Sequence, residues 1–217
     1  MKENCYNNFN IDLTINEYIG EFNQVLRLFI YSYKKMLLEK KFNLNEWENF
    51  LRNILITYLR TFKKEFDICH LNFYAEVQET SADLKEYGSI DIHISNPLEL
   101  MGHEEKYYSF ECKRLDGYSE KNKAYIEDGL FRYISGKYSE EMPIAGMIGF
   151  VQGFKKNSGI DNLITEIANI LHKTEELIQN LLIKQIYNNF KYSYYSKHKR
   201  KSELSNIDIY HLFFDFT

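Results

Sequence analysis

Two carboxylates and a lysine lie between Gly88 and Leu115, on two runs that have the pattern of neighbouring β-strands. The first run, G-S-I-D-I-H-I-S, alternates isoleucines with Asp91 and His93, as a half-buried strand does. In the second run, Y-Y-S-F-E-C-K-R-L, Glu111 and Lys113 are two residues apart and therefore share one face. If the two strands pair, Asp91 lies beside Glu111 on that face.

Such a face has the chemistry of a divalent-cation site. Two carboxylates held close together repel each other, and a hard divalent cation relieves this repulsion by taking oxygen ligands from both. The lysine can orient or activate a water molecule, or stabilise charge that develops on a phosphate. The alternative is that Glu111 and Lys113 form only an exposed pair, worth less than about 1 kcal/mol.

The order Asp91, then Glu111-Cys112-Lys113 on the next strand, resembles the PD-(D/E)xK nuclease superfamily of restriction-endonuclease-like enzymes. The sequence departs from the family pattern at Ile90, which precedes the aspartate in place of proline. The resemblance implies that Asp91 and Glu111 bind Mg²⁺ or Mn²⁺. It also implies that the backbone carbonyl of Cys112 completes the metal shell and that Lys113 is the catalytic lysine.

The resemblance further implies a fold and a function. The fold is α/β with a restriction-endonuclease-like core, in which α-helices flank a mixed β-sheet. The function is metal-dependent endonucleolytic hydrolysis of phosphodiester bonds, with nucleic acid as the partner and DNA favoured. A mobile-element or phage-defence role, a homodimer and a larger defence complex are left open. The alternative is a catalytically inactive nucleic-acid-binding or assembly subunit with a nuclease-like fold.

Composition is compatible with this interpretation and excludes other classes. The 217 residues include 27 basic and 31 acidic ones, for a formal net charge of −4, whereas a nucleic-acid coat protein is usually strongly basic. The three cysteines form no C-x-x-C pair, which favours a reducing cytoplasm over a disulfide framework or a cysteine zinc site. Neither a signal core nor a membrane-spanning apolar run is evident, so no membrane partner is expected.

The remaining chain predicts a single nuclease-like domain. An N-terminal helical pair occupies 1–68, the catalytic core 69–153, and C-terminal helices and strands 154–217. T-I-N-E at Thr14–Glu17 and N-E-W-E at Asn45–Glu48 have the pattern of helix starts. Trp47 opens the apolar stripe of the second helix. The pair is expected to cover one face of the sheet, with dimerisation or gating as the alternative.

Two more strands are predicted on either side of the carboxylate strands along the chain. Alternation from Leu71 to Val77 predicts the first, and it places Glu76 as a candidate auxiliary metal ligand or as a solvated side chain. The nearly continuous apolar run Ile144–Gln152 predicts a strand that is buried on both faces. A helix followed by such a strand is the crossover unit of a mixed or parallel sheet.

A helix from Ser119 to Tyr138 is predicted to connect the core strands. Gly129, Arg132 and Gly136 lie on one of its faces. Because a glycine inside a helix costs about 1 kcal/mol relative to alanine, these glycines indicate close approach of another backbone or a ligand. Helix-on-sheet packing is the alternative explanation, and the one that such glycines more often have. The functional interpretation has Arg132 and Lys137 binding a phosphate of the substrate.

The sequence of the C-terminal region predicts two helical segments and two strands, and it contains a basic run. The basic run is either a second phosphate-binding surface or a solvated loop between strands. In chain order these are a helix from Ser158–Asp161, a second segment from Thr174 to Ile186, a strand at Phe190–Tyr195, the basic run Lys197–Lys201, and a terminal strand at Ile207–Phe216.

Overall fold

The computed structural model describes residues 5–39, 41, 43, 46–80, 86–97, 107–139, 142–153, 159–200 and 205–217. Within these residues the chain is a mixed α/β protein in which helices cover both faces of one seven-stranded sheet. No helix in this part of the chain is both long and apolar enough to cross a membrane.

Two long helices precede the sheet. Helix α1 is Cys5–Glu39, so the predicted start at Thr14–Glu17 is wrong, because the helical backbone already runs through it. Helix α2 is Glu48–Phe62, with Trp47 at its N-cap, and the short 3₁₀ helix Lys63–Phe66 follows it. The predicted second helix is therefore confirmed, beginning at Glu48.

The sheet combines an antiparallel half with a parallel centre. Its order is β1-β2-β3-β4-β7-β6-β5. The first three strands pair antiparallel, β3, β4 and β7 pair parallel, and β7, β6 and β5 are again antiparallel. The strands are β1 Asn72–Thr80, β2 Glu86–Ser95, β3 Tyr107–Leu115, β4 Ile144–Val151, β5 Leu177–Ile183, β6 Ser193–His198 and β7 Ile207–Asp215.

The connection from β3 to β4 is helical, as predicted, but it is not one regular helix. It comprises α3 Ser119–Ala124, a π-helical turn Tyr125–Leu130 and α4 Phe131–Ile134. It ends before Gly136, which has φ +77° and begins the turn toward β4. Helix α5, Ile160–Leu171, follows β4.

The prediction of a second helical segment from Thr174 to Ile186 is wrong. This stretch forms the edge strand β5, which pairs with β6 through an irregular register. The side-chain amide of Asn180 in β5 donates to the carbonyl of Ala168 in α5 at 3.1 Å. A short apolar run cannot distinguish a helix from a strand by spacing alone, so the strand partner decides its structure.

The core consists of two apolar layers separated by the sheet. One layer packs α1 and α2 on the sheet, and the other packs the π-helical turn, α4 and α5 on the opposite face. Ile92 belongs to the first layer and Ile90 to the second, although alternation predicts one face for both. The change of face falls at Asp91, across from Glu76 of β1, whose φ is +53°.

Gly146 in β4 is required by the packing of Phe110 in β3. A Cβ at residue 146 would lie 2.1 Å from the Phe110 ring. We expect Gly146→Ala to lower the free energy of unfolding by about 3 kcal/mol, since it overpacks the core. Thermal unfolding measures this loss. Gly20→Ala is the matched control, because outside its own helix backbone and chain neighbours no atom of the described residues lies within 4 Å of the position that its added methyl group would take, and it should be neutral or slightly stabilising.

Candidate active site

Asp91 and Glu111 come together where β2 and β3 separate. Toward the start of β2, the backbone pairing of β2 with β3 ends at the pair Ile92–Phe110. One residue beyond it, the Asp91 carboxylate takes the place of a backbone partner, because its Oδ2 accepts the N–H of Cys112 at 2.8 Å. The predicted pairing of the two strands is confirmed, and Asp91 lies at the end of that pairing.

Glu111 is the most buried charged group of the site, with 1% of its side chain exposed. Its Oε1 accepts hydrogen bonds from Lys113 Nζ and from Arg132 Nη1, each at 2.7 Å. Its Oε2 is buried and has no hydrogen-bond partner among the described residues. Burial raises the pKa of Glu111 to about 7; the charge of Asp91 adds to the rise, while Lys113 and Arg132 oppose it. A cation at Oε2 would favour the ionised form.

Lys113 passes beneath the π-helical turn to reach Glu111. A Cβ at residue 129 would lie 3.5 Å from Lys113 Cε and 2.7 Å from Met147 Cε, so Gly129 gives these side chains room. The close approach at Gly129 is thus to side chains and not to the other backbone that the sequence pattern indicated. Burial lowers the pKa of Lys113, but the charges of Glu111 and Asp91 outweigh burial and the pKa is raised overall. Lys113 is therefore a cation at neutral pH.

Helix α2 adds two charged residues that the strand pattern did not indicate. Arg52 has 2% of its side chain exposed and donates from Nη1 to Asp91 Oδ1 at 3.0 Å. The Glu48 carboxylate accepts the backbone N–H of Arg114, the residue directly after Lys113. Burial raises the pKa of Glu48. The sequence signal for Glu48 and Arg52 is their spacing of four residues on one helix face. An ion pair on the surface of a helix has the same spacing.

Glu76 lies at the rim of the site with 56% of its side chain exposed. Its Oε1 is 2.9 Å from Arg52 Nη2, so the Arg52 guanidinium bridges Glu76 and Asp91. The positive φ of Glu76 is a conformation that residues other than glycine seldom adopt. Its role as an auxiliary metal ligand stays a prediction.

The two predicted phosphate-binding residues are placed differently. Arg132 reaches the site, because its Nη1 lies 2.7 Å from Glu111 Oε1 and 3.0 Å from Tyr138 Oη. Lys137 lies farther along the turn, beside Gly88 in β2, with its Nζ 5.9 Å from the centre of the Tyr138 ring. A substrate-binding role for both stays a prediction.

The described part of the predicted basic run Lys197–Lys201 is not a solvated loop. His198 is the last residue of β6 and is buried. The guanidinium of Arg200 is buried as well and donates to the carbonyls of Ser139, at 3.0 Å, and Met142. Arg200 therefore anchors the turn before β4 and is not available to a phosphate.

The structure also forms a buried polar network that histidine spacing did not indicate. Ser196 Oγ lies 2.8 Å from Nε2 of both His198 and His211, and the Nδ1 of His211 lies 2.8 Å from Tyr125 Oη. Burial lowers the pKa of His198 to about 4 and that of His211 well below its ordinary value. The network is thus uncharged at neutral pH and links β6 and β7 to the π-helical turn.

The oxygen donors at the end of the β2–β3 pairing suit a hard cation such as Mg²⁺ or Mn²⁺. The N–H of Cys112 points toward Asp91. The carbonyl of Cys112 points toward the same side, because the N–H and C=O groups of one residue in a strand have the same direction. Among the described residues, no three Asp, Glu, His or Cys side chains are grouped as a metal site. A metal here would therefore be held by Asp91, Glu111 and backbone or water oxygens, and the unpartnered Oε2 of Glu111 fits this role.

No protein-family model matches the chain, and no curated protein or solved structure is significantly similar to it. The described residues form a mixed α/β fold with a charged cluster between the sheet and the helices. In that cluster two carboxylates from β2 and β3 contact a lysine and two arginines.

Proposed function

We propose that the protein is a metal-dependent nuclease that hydrolyses phosphodiester bonds of nucleic acid, with DNA favoured. One observation carries the proposal: Asp91 and Glu111 converge with Lys113 at one site, and Glu111 keeps a buried oxygen without a described partner. A buried unpaired acceptor is costly, and a bound cation would remove that cost.

The order of the elements supports the same proposal. Helix α2, the antiparallel strands β1 to β3, a helical connection and the parallel strand β4 follow one another along the chain. Helices flank both faces of this mixed sheet. This is the arrangement that the resemblance to the PD-(D/E)xK superfamily implies, and a role in a mobile-element or phage-defence system belongs to the same proposal.

Each residue of the site has a role in the proposed reaction. Asp91, Glu111 and the carbonyl of Cys112 would hold Mg²⁺ or Mn²⁺, which when bound lowers the pKa of a water molecule and stabilises phosphate charge. Lys113 remains protonated and can orient the attacking water or donate to the phosphate. Arg52 fixes the orientation of the Asp91 carboxylate through its bond to Oδ1.

A catalytically inactive nucleic-acid-binding or assembly subunit is the second candidate, and a specific observation favours it. Both carboxylates already contact cations: Asp91 contacts Arg52, and Glu111 contacts Lys113 and Arg132. Such an ion-pair cluster is charge-compensated without a metal. A protein of this kind would bind nucleic acid but would not require Mn²⁺.

The discriminating experiment is a calorimetric Mn²⁺ titration combined with a cleavage assay on DNA and RNA. We expect the parent protein to bind Mn²⁺ and to need it for cleavage. Asp91→Asn keeps the side-chain shape, and it should lower the Mn²⁺ affinity and the cleavage rate each by at least about 100-fold. The matched control is Asp161→Asn, an exposed aspartate of α5 that pairs with Lys191. Unchanged Mn²⁺ binding in Asp91→Asn would rule out this metal site, and binding of nucleic acid without cleavage favours the second candidate.

Cys112 is expected to be structural and not catalytic. It is buried on the face opposite Glu111, as alternation predicted, and burial raises the pKa of its thiol well above the ordinary value. Cys112→Ala should therefore keep the parent's cleavage rate and lose about 1 kcal/mol of stability through a small cavity. Thermal unfolding and the cleavage assay measure the two effects. Rapid inactivation of the native protein by alkylation of Cys112 would contradict this placement; the exposed Cys69 provides the Cys69→Ala control.

A further inference from the structure

Trp47 is exposed beside the candidate active site, although the apolar stripe predicted it in the core. Its side chain lies on the surface, with 75% of the residue exposed. The residue is the N-cap of α2 and directly precedes Glu48. Its carbonyl accepts the N–H groups of Phe50 and Leu51 at 3.0 and 3.2 Å, so its backbone is part of the first helical turn.

The segment that carries Trp47 is fixed to the ends of the parallel strands β3 and β4. Gln152, directly after β4, donates its side-chain amide to the carbonyl of Glu46 at 3.1 Å. The backbone N–H of Arg114 in β3 donates to the Glu48 carboxylate. Trp47 is therefore held from both sides at the carboxyl ends of two parallel strands. In α/β proteins ligands bind at such ends.

Arg114 places a positively charged guanidinium beside the exposed aromatic ring of Trp47. Its guanidinium lies 5.9 Å from the centre of the Trp47 ring, within the range of a cation–π contact. Its Nε is buried and has no hydrogen-bond partner within the described residues. In the chain Arg114 directly follows Lys113. An exposed indole and a guanidinium with an unpartnered donor thus lie together beside Glu48, whose carboxylate interacts with the charges of Lys113 and Asp91 in the candidate active site.

We propose that Trp47 and Arg114 bind an unpaired nucleotide of the substrate, so that the protein acts on single-stranded nucleic acid. The indole would stack on a base, and the guanidinium would contact the adjoining phosphate. Only an unpaired base presents a free face to a side chain, since the bases of a duplex stack on each other. This inference rests on the proposed function and specifies its substrate class.

Trp47 is the only tryptophan of the chain, so its fluorescence reports directly on this surface. The test adds oligothymidylate or oligouridylate of about 12 nucleotides to the protein in EDTA, where metal-dependent cleavage does not interfere. We expect saturable quenching by the single strands and weaker quenching by a blunt hairpin duplex of equal charge. Comparison of the two single strands distinguishes DNA from RNA as the source of the nucleotide.

Binding of labelled oligonucleotide measures the contribution of each residue. Trp47→Ala should weaken single-strand binding about tenfold, and Trp47→Phe should retain most of the affinity because a phenyl ring still stacks. Arg114→Gln should reduce the salt dependence of binding by about one phosphate contact. Tyr74→Ala is the control, since Tyr74 is an exposed aromatic residue on the edge strand β1.

The outcomes separate this inference from the proposed nuclease function. Equal quenching by duplex and single strand, or parent-like affinity in Trp47→Ala, overturns the inference even if cleavage depends on Asp91. Single-strand quenching that requires Trp47 upholds it. If such quenching occurs and no metal supports cleavage, the proposed nuclease function fails while the nucleotide-binding surface stands.

Discussion

Lys113→Met should lower the single-turnover rate of nucleic-acid cleavage about 10³-fold while the protein still binds Mn²⁺. An ammonium group cannot ligate a metal, so its removal takes no ligand from the ion. It can orient water or stabilise charge on a phosphate, and those contributions belong to the chemical step. A calorimetric titration with Mn²⁺ measures binding of the ion, and a rapid-quench assay at saturating Mn²⁺ measures the cleavage rate.

The surroundings of Lys113 make this variant interpretable. Methionine preserves the apolar stem that packs next to Gly129 and Met147. Glu111 also keeps one cationic partner, because Arg132 Nη1 lies at the same 2.7 Å from Oε1 as the lysine does. The variant should therefore fold, and thermal unfolding verifies this.

Lys191→Met is the matched control for the loss of a lysine. Lys191 is exposed and pairs with Asp161, away from the carboxylates of β2 and β3. It should cleave at the parent's rate. If Lys113→Met also cleaves at that rate, the lysine is only a partner of Glu111 and the assignment of a catalytic role is wrong.

The carboxylate strands could be predicted because strand periodicity and charge coincide there. Alternation identified β2 and β3, and the shared face of Glu111 and Lys113 follows from the same period. The Glu111–Lys113 contact at 2.7 Å agrees with it. The continuous apolar run of β4 likewise predicted its burial, since a central parallel strand is covered on both faces.

Residues whose partners are distant in sequence could not be placed in this way. Arg52 contacts Asp91, 39 residues away, and a charged residue on an amphipathic helix is usually solvated. Arg200 binds two carbonyls about 60 residues earlier in the chain, and nothing in a basic run indicates this. Trp47 matched the apolar stripe of α2, but its N-cap position left the indole on the surface.

The edge strand β5 shows the same limit for secondary structure. Its leucines and isoleucines fit helical spacing, and the antiparallel partner β6 is what makes the stretch a strand. Local propensity is a weak guide where a sheet edge can accept another strand.

Arg52→Met should lower the free energy of unfolding by about 3 kcal/mol in the absence of metal, because it leaves the Asp91 carboxylate without its cation. Asp91 has 14% of its side chain exposed, so water compensates little of this loss. The remaining N–H of Cys112, at 2.8 Å from Oδ2, is a neutral donor. For a chain of this length the loss corresponds to a decrease of roughly 6–12 °C in Tm, which thermal unfolding in EDTA measures.

The same variant tests whether Arg52 supplies the charge that a divalent ion would otherwise provide. If Mn²⁺ binds at Asp91, it should raise the Tm of Arg52→Met more than that of the parent, because a ligand that binds the folded protein more tightly stabilises it more and no arginine now competes for Oδ1. Adding Asp91→Asn should recover most of the lost stability and abolish the Mn²⁺ effect, as expected for two residues that interact directly. An equal Mn²⁺ shift in all three proteins would mean that the ion binds elsewhere and that Arg52 and Asp91 form a structural ion pair only.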